Sequence, residues 1–145
     1  MKLTRILALV LMSVMLVLAA VSCGELPPEI TVKLQIQDPD NEGSYILDVD
    51  VVLQEHNPTV LSAFQAACIE NEIKYDLNSE STAVLNIADH NDLSAEASGD
   101  GLVYYWMYLL NDLEPTSGQA STNPVADGDK ITYIYDSFNP EDLKK

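Results

Sequence analysis

Basic residues are scarce in this chain, and their scarcity excludes several functions. The 145 residues include 23 acidic side chains against 7 basic ones, a formal net charge of −16. Residues 23–145 hold all 23 acids with five lysines and no arginine, a balance of −18. Such a surface repels phosphate backbones and anionic bilayers. This charge nearly excludes nucleic-acid binding and disfavours the clamping of phosphorylated substrates.

A hydrophobic run long enough to cross a membrane is also missing. Ile6–Leu18 is an apolar stretch of 13 residues, whereas a membrane-spanning helix needs about 20. Lys2 and Arg5 precede this stretch and no acid occurs near it. A short positive start and a short apolar core are typical of a signal peptide. We expect residues 1–22 to direct export.

Small residues and then a cysteine follow the apolar stretch, in the order Ala19-Ala20-Val21-Ser22-Cys23. This segment resembles the lipobox of bacterial lipoproteins, in which the cysteine is acylated on sulfur and becomes the new N-terminus. The resemblance implies lipid attachment at Cys23, with 23–29 as lipidated cysteine and tether. The protein would then be anchored to a bacterial cell membrane, facing outward into the periplasm or the extracellular space. An ordinary signal peptide with a cysteine near the cleavage site is the alternative.

Cysteine is scarce as well, with two in the whole chain. If Cys23 is lipidated, Cys68 is the only remaining thiol and no intramolecular disulfide can form. Cys68 lies on the apolar side of a helical pattern, beside Leu61 and Phe64. We expect it to be a buried, inert core residue.

Residues 30–138 show the pattern of one α+β domain, followed by a charged tail, 139–145. Alternating apolar residues predict a hairpin of strands 30–37 and 44–53 around a turn at 38–43. Asn57 and Pro58 are suited to open a helix that ends at Asn71. Two short strands are predicted at 73–77 and 82–88, followed by a loop at 89–101. A strand buried on both faces is predicted at 102–110, then a long loop at 113–129 and a closing strand at 130–135. One helix on one face of a mixed sheet is an α+β architecture.

Three segments follow one another along the chain, namely Asn57–Ala67 (NPTVLSAFQAA), Tyr105–Asp112 (YWMYLLND) and Asp127–Tyr135 (DGDKITYIY). Together they are similar to the transcobalamin C-terminal-like domain, which occurs in bacterial lipoproteins as a domain of unknown function. The resemblance covers roughly residues 30–138 and implies a β-grasp-like fold. In animal cobalamin carriers the related domain covers one face of the corrinoid, and a helical domain that is absent here covers the other. Many relatives have Asn-Gly where this chain has Asn111-Asp112. The family predicts fold better than function.

Candidate ligand-binding residues are the rings of strand 102–110 and the loops next to it. Recognition concentrates in loops, which indicates residues 90–101 and 112–124. Because alternate residues of a strand face opposite sides, some of the rings must belong to the core, and core packing is the preferred interpretation of Trp106. The candidates are Tyr104, Trp106, Asn111, Leu113 and Glu114.

No metal site, cofactor site or catalytic motif is expected. The acids of 38–42 before Gly43 resemble a calcium loop, but the glutamate that an EF-hand needs six positions after the glycine is replaced by Val49. A solvated turn is the preferred interpretation there and at Asp127-Gly128-Asp129. His56 and His90 lack a second ligand at metal spacing. No nucleophile elbow, phosphate loop or zinc motif occurs.

The sequence therefore favours a surface-tethered, non-catalytic binding module. A cobalamin-like small ligand, delivered to a membrane transporter complex, is the specific candidate that the family resemblance implies. The first alternative is a module that binds a protein or a polymer at the cell surface through loops or a sheet edge. The second is a small extracellular hydrolase with two converging carboxylates, one of raised pKa. Calcium-dependent adhesion is the weakest alternative.

Overall fold

The computed structural model describes residues 26–144. The predicted signal peptide and Cys23 lie outside the described residues, so the structure bears on the domain and its tether from Leu26 onward. No helix among residues 26–144 has the length and apolar character needed to span a membrane.

Four long strands form the main sheet, in the order β2-β1-β7-β6. They are β1 (Ile30–Gln37), β2 (Tyr45–Leu53), β6 (Val103–Leu110) and β7 (Lys130–Phe138). β1 pairs antiparallel with β2 and parallel with β7, and β7 pairs antiparallel with β6. The expected hairpin of the first two strands is confirmed. Its turn is braced by Asp38, whose carboxylate accepts hydrogen bonds from the Asp40 amide and the Ser44 hydroxyl.

One face of this sheet carries the core, because the alternate apolar residues of β1 all point to it. Val32, Leu34 and Ile36 are fully buried. Their partners in neighbouring strands, Val51 and Ile131, are buried on the same face. The mixed α+β class predicted from the apolar periodicity is confirmed.

Helix α1 (Val60–Glu70) covers the buried face with the side chains of Phe64, Ala67 and Cys68. The expected burial of Cys68 is confirmed. The predicted start of the helix is wrong by two residues, because Thr59 and not Asn57 is the N-cap. The Thr59 side chain accepts a hydrogen bond from the Ser62 amide, and the Ser62 side chain accepts one from the Thr59 amide. The predicted end at Asn71 is confirmed.

A second, smaller sheet follows the helix, in the order β3-β4-β5. Its strands are β3 (Tyr75–Leu77), β4 (Val84–Ile87) and β5 (His90–Asn91). The two short strands predicted around 73–77 and 82–88 are therefore present in shortened form. The prediction of a loop over the whole of 89–101 is wrong, since β5 and the short helix α2 (Ala95–Ser98) lie within it.

The prediction that strand 102–110 is buried on both faces is also wrong. β6 is an edge strand of the main sheet, and only Trp106 among its eight residues is buried. Its apolar composition has another cause. Tyr104, Trp106 and Tyr108 share the core side with Tyr133 and Tyr135, while the opposite side is half-exposed. After β7 the chain ends in a 3₁₀ helix, Pro140–Lys144.

Candidate functional site

A cavity of about 380 Å³ lies along the outer edge of β6. Four consecutive residues of the strand, 105–108, contribute to its wall. Neighbouring side chains of a strand point to opposite faces, so four in a row can border one cavity only if it follows the edge of the strand, including its backbone. The cavity is therefore a cleft at the sheet edge.

Three other segments complete the walls of this edge cavity. Thr82, Ala83 and Val84 bring the start of β4 to one side. The long loop after β6 supplies residues on the opposite side, namely Glu114, Pro115, Gln119 and Ala120. Tyr133 of β7 contributes from the core side. The volume lies in the range of small-molecule sites, which are typically about 300–1,000 Å³.

The long loop is held in place by the beginning of α1. The Leu61 amide donates to the Ala120 carbonyl at 2.8 Å, and the Val60 amide donates to the Asn123 carbonyl at 3.0 Å. These are amides of the first helical turn, which have no partner inside the helix. The Asn123 side chain in turn donates to the Tyr108 hydroxyl. The fold thus fixes one wall of the cavity to the helix and to β6.

Trp106 is fixed in the cavity wall by two hydrogen bonds. Its indole Nε1 donates to the His90 carbonyl at 2.7 Å, and its amide donates to Asp92 Oδ1 at 3.0 Å. Its ring packs against that of Tyr135, with centroids 5.1 Å apart. The indole is only 7% exposed, so the predicted core packing of Trp106 is confirmed, although part of the residue borders the cavity. Burial raises the pKa of Asp92, and the hydrogen bond from Trp106 opposes that shift.

Tyr133 is the unusual polar residue of the cavity. It is 2% exposed, and its hydroxyl has no hydrogen-bond partner among the described residues. Burial holds its pKa far above the ordinary value, so the phenol is neutral. Burying a hydroxyl costs its hydration, and without a hydrogen-bond partner no new bond compensates this cost. Among the lining residues that the structure describes, Glu114 is the only ionisable acid or base apart from the tyrosines.

Of the five predicted ligand residues, the structure brings Trp106 and Glu114 to the cavity and leaves three elsewhere. Tyr104 stacks on Tyr135 at 5.7 Å and donates from its hydroxyl to Asp100 at 2.7 Å. That hydrogen bond raises the pKa of Tyr104, and the Leu102 amide leads the contacts that lower the pKa of Asp100. This pair forms a surface cluster beyond the cavity.

Asn111 and Leu113 belong to the tight turn that ends β6. Asn111 donates from Nδ2 to Asp129 and accepts at Oδ1 from the Lys130 amide, both at 2.9 Å. These bonds join the end of β6 to the start of β7 and occupy the side-chain amide. Leu113 returns to pair with Leu110 and is 71% exposed.

Sequence reasoning missed Tyr133 and the segment Thr82–Val84 as cavity residues, and it considered Tyr108 among the rings of the strand without choosing it as a candidate. Tyr108 carried a signal, since it shares a strand face with Trp106 and precedes the 112–124 loop. The sequence pattern of the closing strand indicated only that Tyr133 is one of its interior residues. The contribution of Thr82–Val84 depends on how the small sheet meets β6, a long-range contact with no local pattern.

No group of three or more metal-binding side chains occurs in residues 26–144. The turn expected at Asp127-Gly128-Asp129 is confirmed. Asp127 accepts from the Thr31 amide at 2.8 Å, and Asp129 accepts from the Ala126 amide at 2.7 Å. Both carboxylates therefore stabilise the backbone that joins β7 to β1.

Comparison with known proteins places this fold at a distance from characterised ones. No family model matches the chain, and no curated protein matches it. Among solved structures, haptocorrin in complex with Cbi is similar with a TM-score of 0.54 and 16% identity, over 77% of this chain and 26% of that chain. This chain thus spans about a quarter of the haptocorrin chain. At this identity the likeness shows a shared fold.

A second solved structure is that of a Ruminococcus gnavus protein provisionally described as metal binding. It has a TM-score of 0.42 and 11% identity, over 74% of this chain and 97% of that one. A likeness of this size carries no argument about function. By its own sheet order and cleft, the part of the chain that the structure describes is a small α+β domain with a cleft at the edge of a mixed sheet.

Proposed function

We propose that this chain is a non-catalytic ligand-binding module whose site is the edge cavity. The observation that carries the proposal is a cleft of about 380 Å³ bordered by Trp106, Tyr108 and Tyr133, with few polar side chains. Ligand sites are typically concave, mostly apolar and aromatic, with a small number of placed polar groups. Hydrogen bonds to α1 and β5 hold the walls, so the cleft is formed before any ligand arrives.

The charges around the cleft restrict the ligand to neutral or cationic molecules. Glu114 borders the cleft, and the whole chain carries a formal net charge of −16. An anion would have to approach against this field. A corrinoid, suggested by the likeness to haptocorrin in complex with Cbi, is broader than the cleft. It would lie across the mouth and insert one edge or a substituent.

The finer fold assignment is also a proposal. The order β2-β1-β7-β6, with a parallel central pair and one helix packed on the sheet, supports the proposal of a β-grasp domain. The related domain of cobalamin carriers is expected to have this fold. The small sheet β3-β4-β5 and the long loop after β6 would be insertions that build the cavity.

We propose further that the domain is tethered to a bacterial membrane through lipid on Cys23. Two acyl chains would give stable anchoring, at about 0.8 kcal/mol for each buried CH₂. Residues 24–29 would separate the domain from the lipid and leave the cleft accessible to solutes outside the cell. Delivery of the bound ligand to a membrane transporter complex is the corresponding role.

One observation favours the alternative of a protein-interaction module. The outward face of β6 and β7 carries Tyr105, Met107 and Ile134 as half-exposed side chains, with Phe138 37% exposed. Apolar patches of this kind mark interaction surfaces. A hydrolase is less well supported, because a pair of carboxylates is needed and, within residues 26–144, Glu114 alone brings a carboxylate to the cleft.

Fluorescence titration of the full-length protein in detergent tests the proposal. Trp106 is the only tryptophan of the chain and borders the cleft, so its emission reports on this site. Aquocobalamin is the first probe, with haem as a comparison and calorimetry as a second readout free of inner-filter effects. We expect saturable one-to-one binding that Ala83→Phe weakens by filling the mouth.

The matched control is Ala97→Phe, which adds the same bulk at an exposed alanine of α2 outside the cleft. Binding that both variants weaken equally would place the ligand elsewhere. Absence of any heat or fluorescence change up to hundreds of micromolar would remove corrinoids as candidates. The interaction surface of β6 and β7 would then become the leading site.

A further inference from the structure

The outer edge of β6 is closed at both ends and open in the middle. At one end Tyr104 exchanges two backbone hydrogen bonds with Leu93, each 2.9 Å long. At the other end Leu110 exchanges bonds of 2.9 and 3.1 Å with Leu113. Between them, the Trp106 amide donates to the Asp92 side chain.

Strand periodicity identifies the backbone groups that remain open on this edge. In an antiparallel strand the N–H and C=O of a given residue point to the same side, and alternate residues share that side. Tyr108 therefore points its N–H and C=O outward, as Tyr104 and Leu110 do, and the Trp106 carbonyl points outward with them. Among the residues that the structure describes, none forms a hydrogen bond with these three groups.

The open groups coincide with the edge cavity, because residues 105–108 border it as a continuous stretch. An open strand edge presents donors and acceptors in the spacing of an extended peptide. The free groups lie between the Trp106 carbonyl and the Tyr108 carbonyl, two residue steps or about 6.8 Å of strand, which leaves room for about one residue of an added strand. A long strand would collide with Leu93 or Leu113.

We propose that the cleft binds a short extended peptide segment, which pairs with β6 at Tyr108. This inference rests on the proposed function and names the ligand class of the same site. The segment donates an N–H to the Tyr108 carbonyl and accepts from the Tyr108 amide. Its apolar side chain enters the cleft between Trp106 and Tyr133, while Glu114 at the wall excludes a free carboxylate.

The smallest probe that carries these features is N-acetyl-L-phenylalanine methylamide. Its matched control is the methylamide of O-acetyl-L-phenyllactic acid, an ester that keeps the shape and has an ester oxygen in place of the N–H that donates to the Tyr108 carbonyl in an antiparallel pair. A second control is the D-enantiomer of the amide, which places the ring on the wrong side of the paired chain. Affinities are measured from Trp106 emission, and the Tyr108 amide is followed by ¹⁵N-resolved NMR on the full-length protein.

We expect the L-amide to bind about 3- to 10-fold more tightly than the ester, the range that one net hydrogen bond contributes. The Tyr108 amide resonance should shift downfield on binding, while the amide of Tyr104, already paired, should move little. The D-amide should bind less tightly than the L-amide, and Ala83→Phe should weaken the L-amide while Ala97→Phe does not.

Three results would overturn the peptide inference, and they differ in whether the proposed function of the cleft survives. Equal binding of amide and ester would leave the cleft as a ligand site without strand pairing. If the amides do not bind while aquocobalamin does, and Ala83→Phe blocks aquocobalamin binding, the cleft also remains a ligand site. Failure of every probe would overturn both the peptide inference and the proposed function.

Discussion

Removing the Tyr133 hydroxyl should stabilise the protein. The Tyr133 ring packs against Phe64 and Tyr108, with centroids 4.6 and 5.9 Å away, and these contacts survive in Tyr133→Phe. Only the oxygen is lost, and it is the atom without a hydrogen-bond partner among the described residues. In the unfolded chain that hydroxyl is hydrated, so folding costs its hydration.

The magnitude follows from two opposing contributions. Leaving a buried hydroxyl unpaired costs about 1–3 kcal/mol. Its removal leaves a small void at a core position, whose lining loses dispersion contacts. We therefore expect Tyr133→Phe to raise the free energy of unfolding by about 1 kcal/mol. For a domain of this size, that corresponds to a rise in Tm of about 3–6 °C.

Urea unfolding followed through Trp106 emission measures this change, with an unaltered m-value as the sign that only stability changed. Tyr108→Phe is the matched comparison, because its hydroxyl accepts from Asn123, and its loss should cost about 1 kcal/mol. Tyr45→Phe, at a 43% exposed ring, should be neutral. If Tyr133→Phe instead destabilised the fold by 1 kcal/mol or more, the hydroxyl would have a partner, and the reasoning would be refuted.

Three further substitutions test the local structure. Asp89 has a φ of 71° in the turn between β4 and β5, so Asp89→Gly should raise Tm by relieving about 1 kcal/mol of strain, as thermal unfolding can show. Thr59→Ala removes the cap of α1 and should cost about 1 kcal/mol in urea unfolding, whereas Thr59→Ser should retain most of it. Burial raises the pKa of Asp92 above 3.8, so its charge opposes folding at neutral pH, and this cost disappears as the pH falls through the raised pKa. Asp92→Asn should therefore be at least as stable as the parent at pH 7, and the difference should shrink in acid. A large loss of stability at pH 7 would contradict that sign.

Much of the fold was predictable because the apolar pattern is local. The alternation in β1 and the helical stripe around Phe64 each indicate both the element and its buried face. The cap of α1 was predicted wrongly for a reason that lies far along the chain. Pro58 and Thr59 pair with the segment 123–125, and this contact delays the helix until Val60.

The position of β6 could not be predicted in the same way. An apolar strand is expected in the middle of a sheet, but here the aromatic side chains pack on Tyr135 and Tyr133 from the edge. Trp106 and Glu114 were predicted as ligand residues and lie at the cleft, because strand and following loop are neighbours in sequence. The walls from Thr82–Val84 and Tyr133 arise from pairings between distant segments, which leave no local pattern.

The parallel pairing of β1 with β7 determines when the domain can form. It joins Lys33 to Lys130 and Ile36 to Tyr133, residues 97 positions apart in the chain. Until the last strand exists, β1 has an open edge in what will become the centre of the sheet, and the core face of Val32–Ile36 lacks one neighbour. Such distant pairing makes folding slow and concerted. A growing chain that has not reached residue 130 therefore holds a hairpin and a helix without their common core, and folding of the domain waits until β7 has been made.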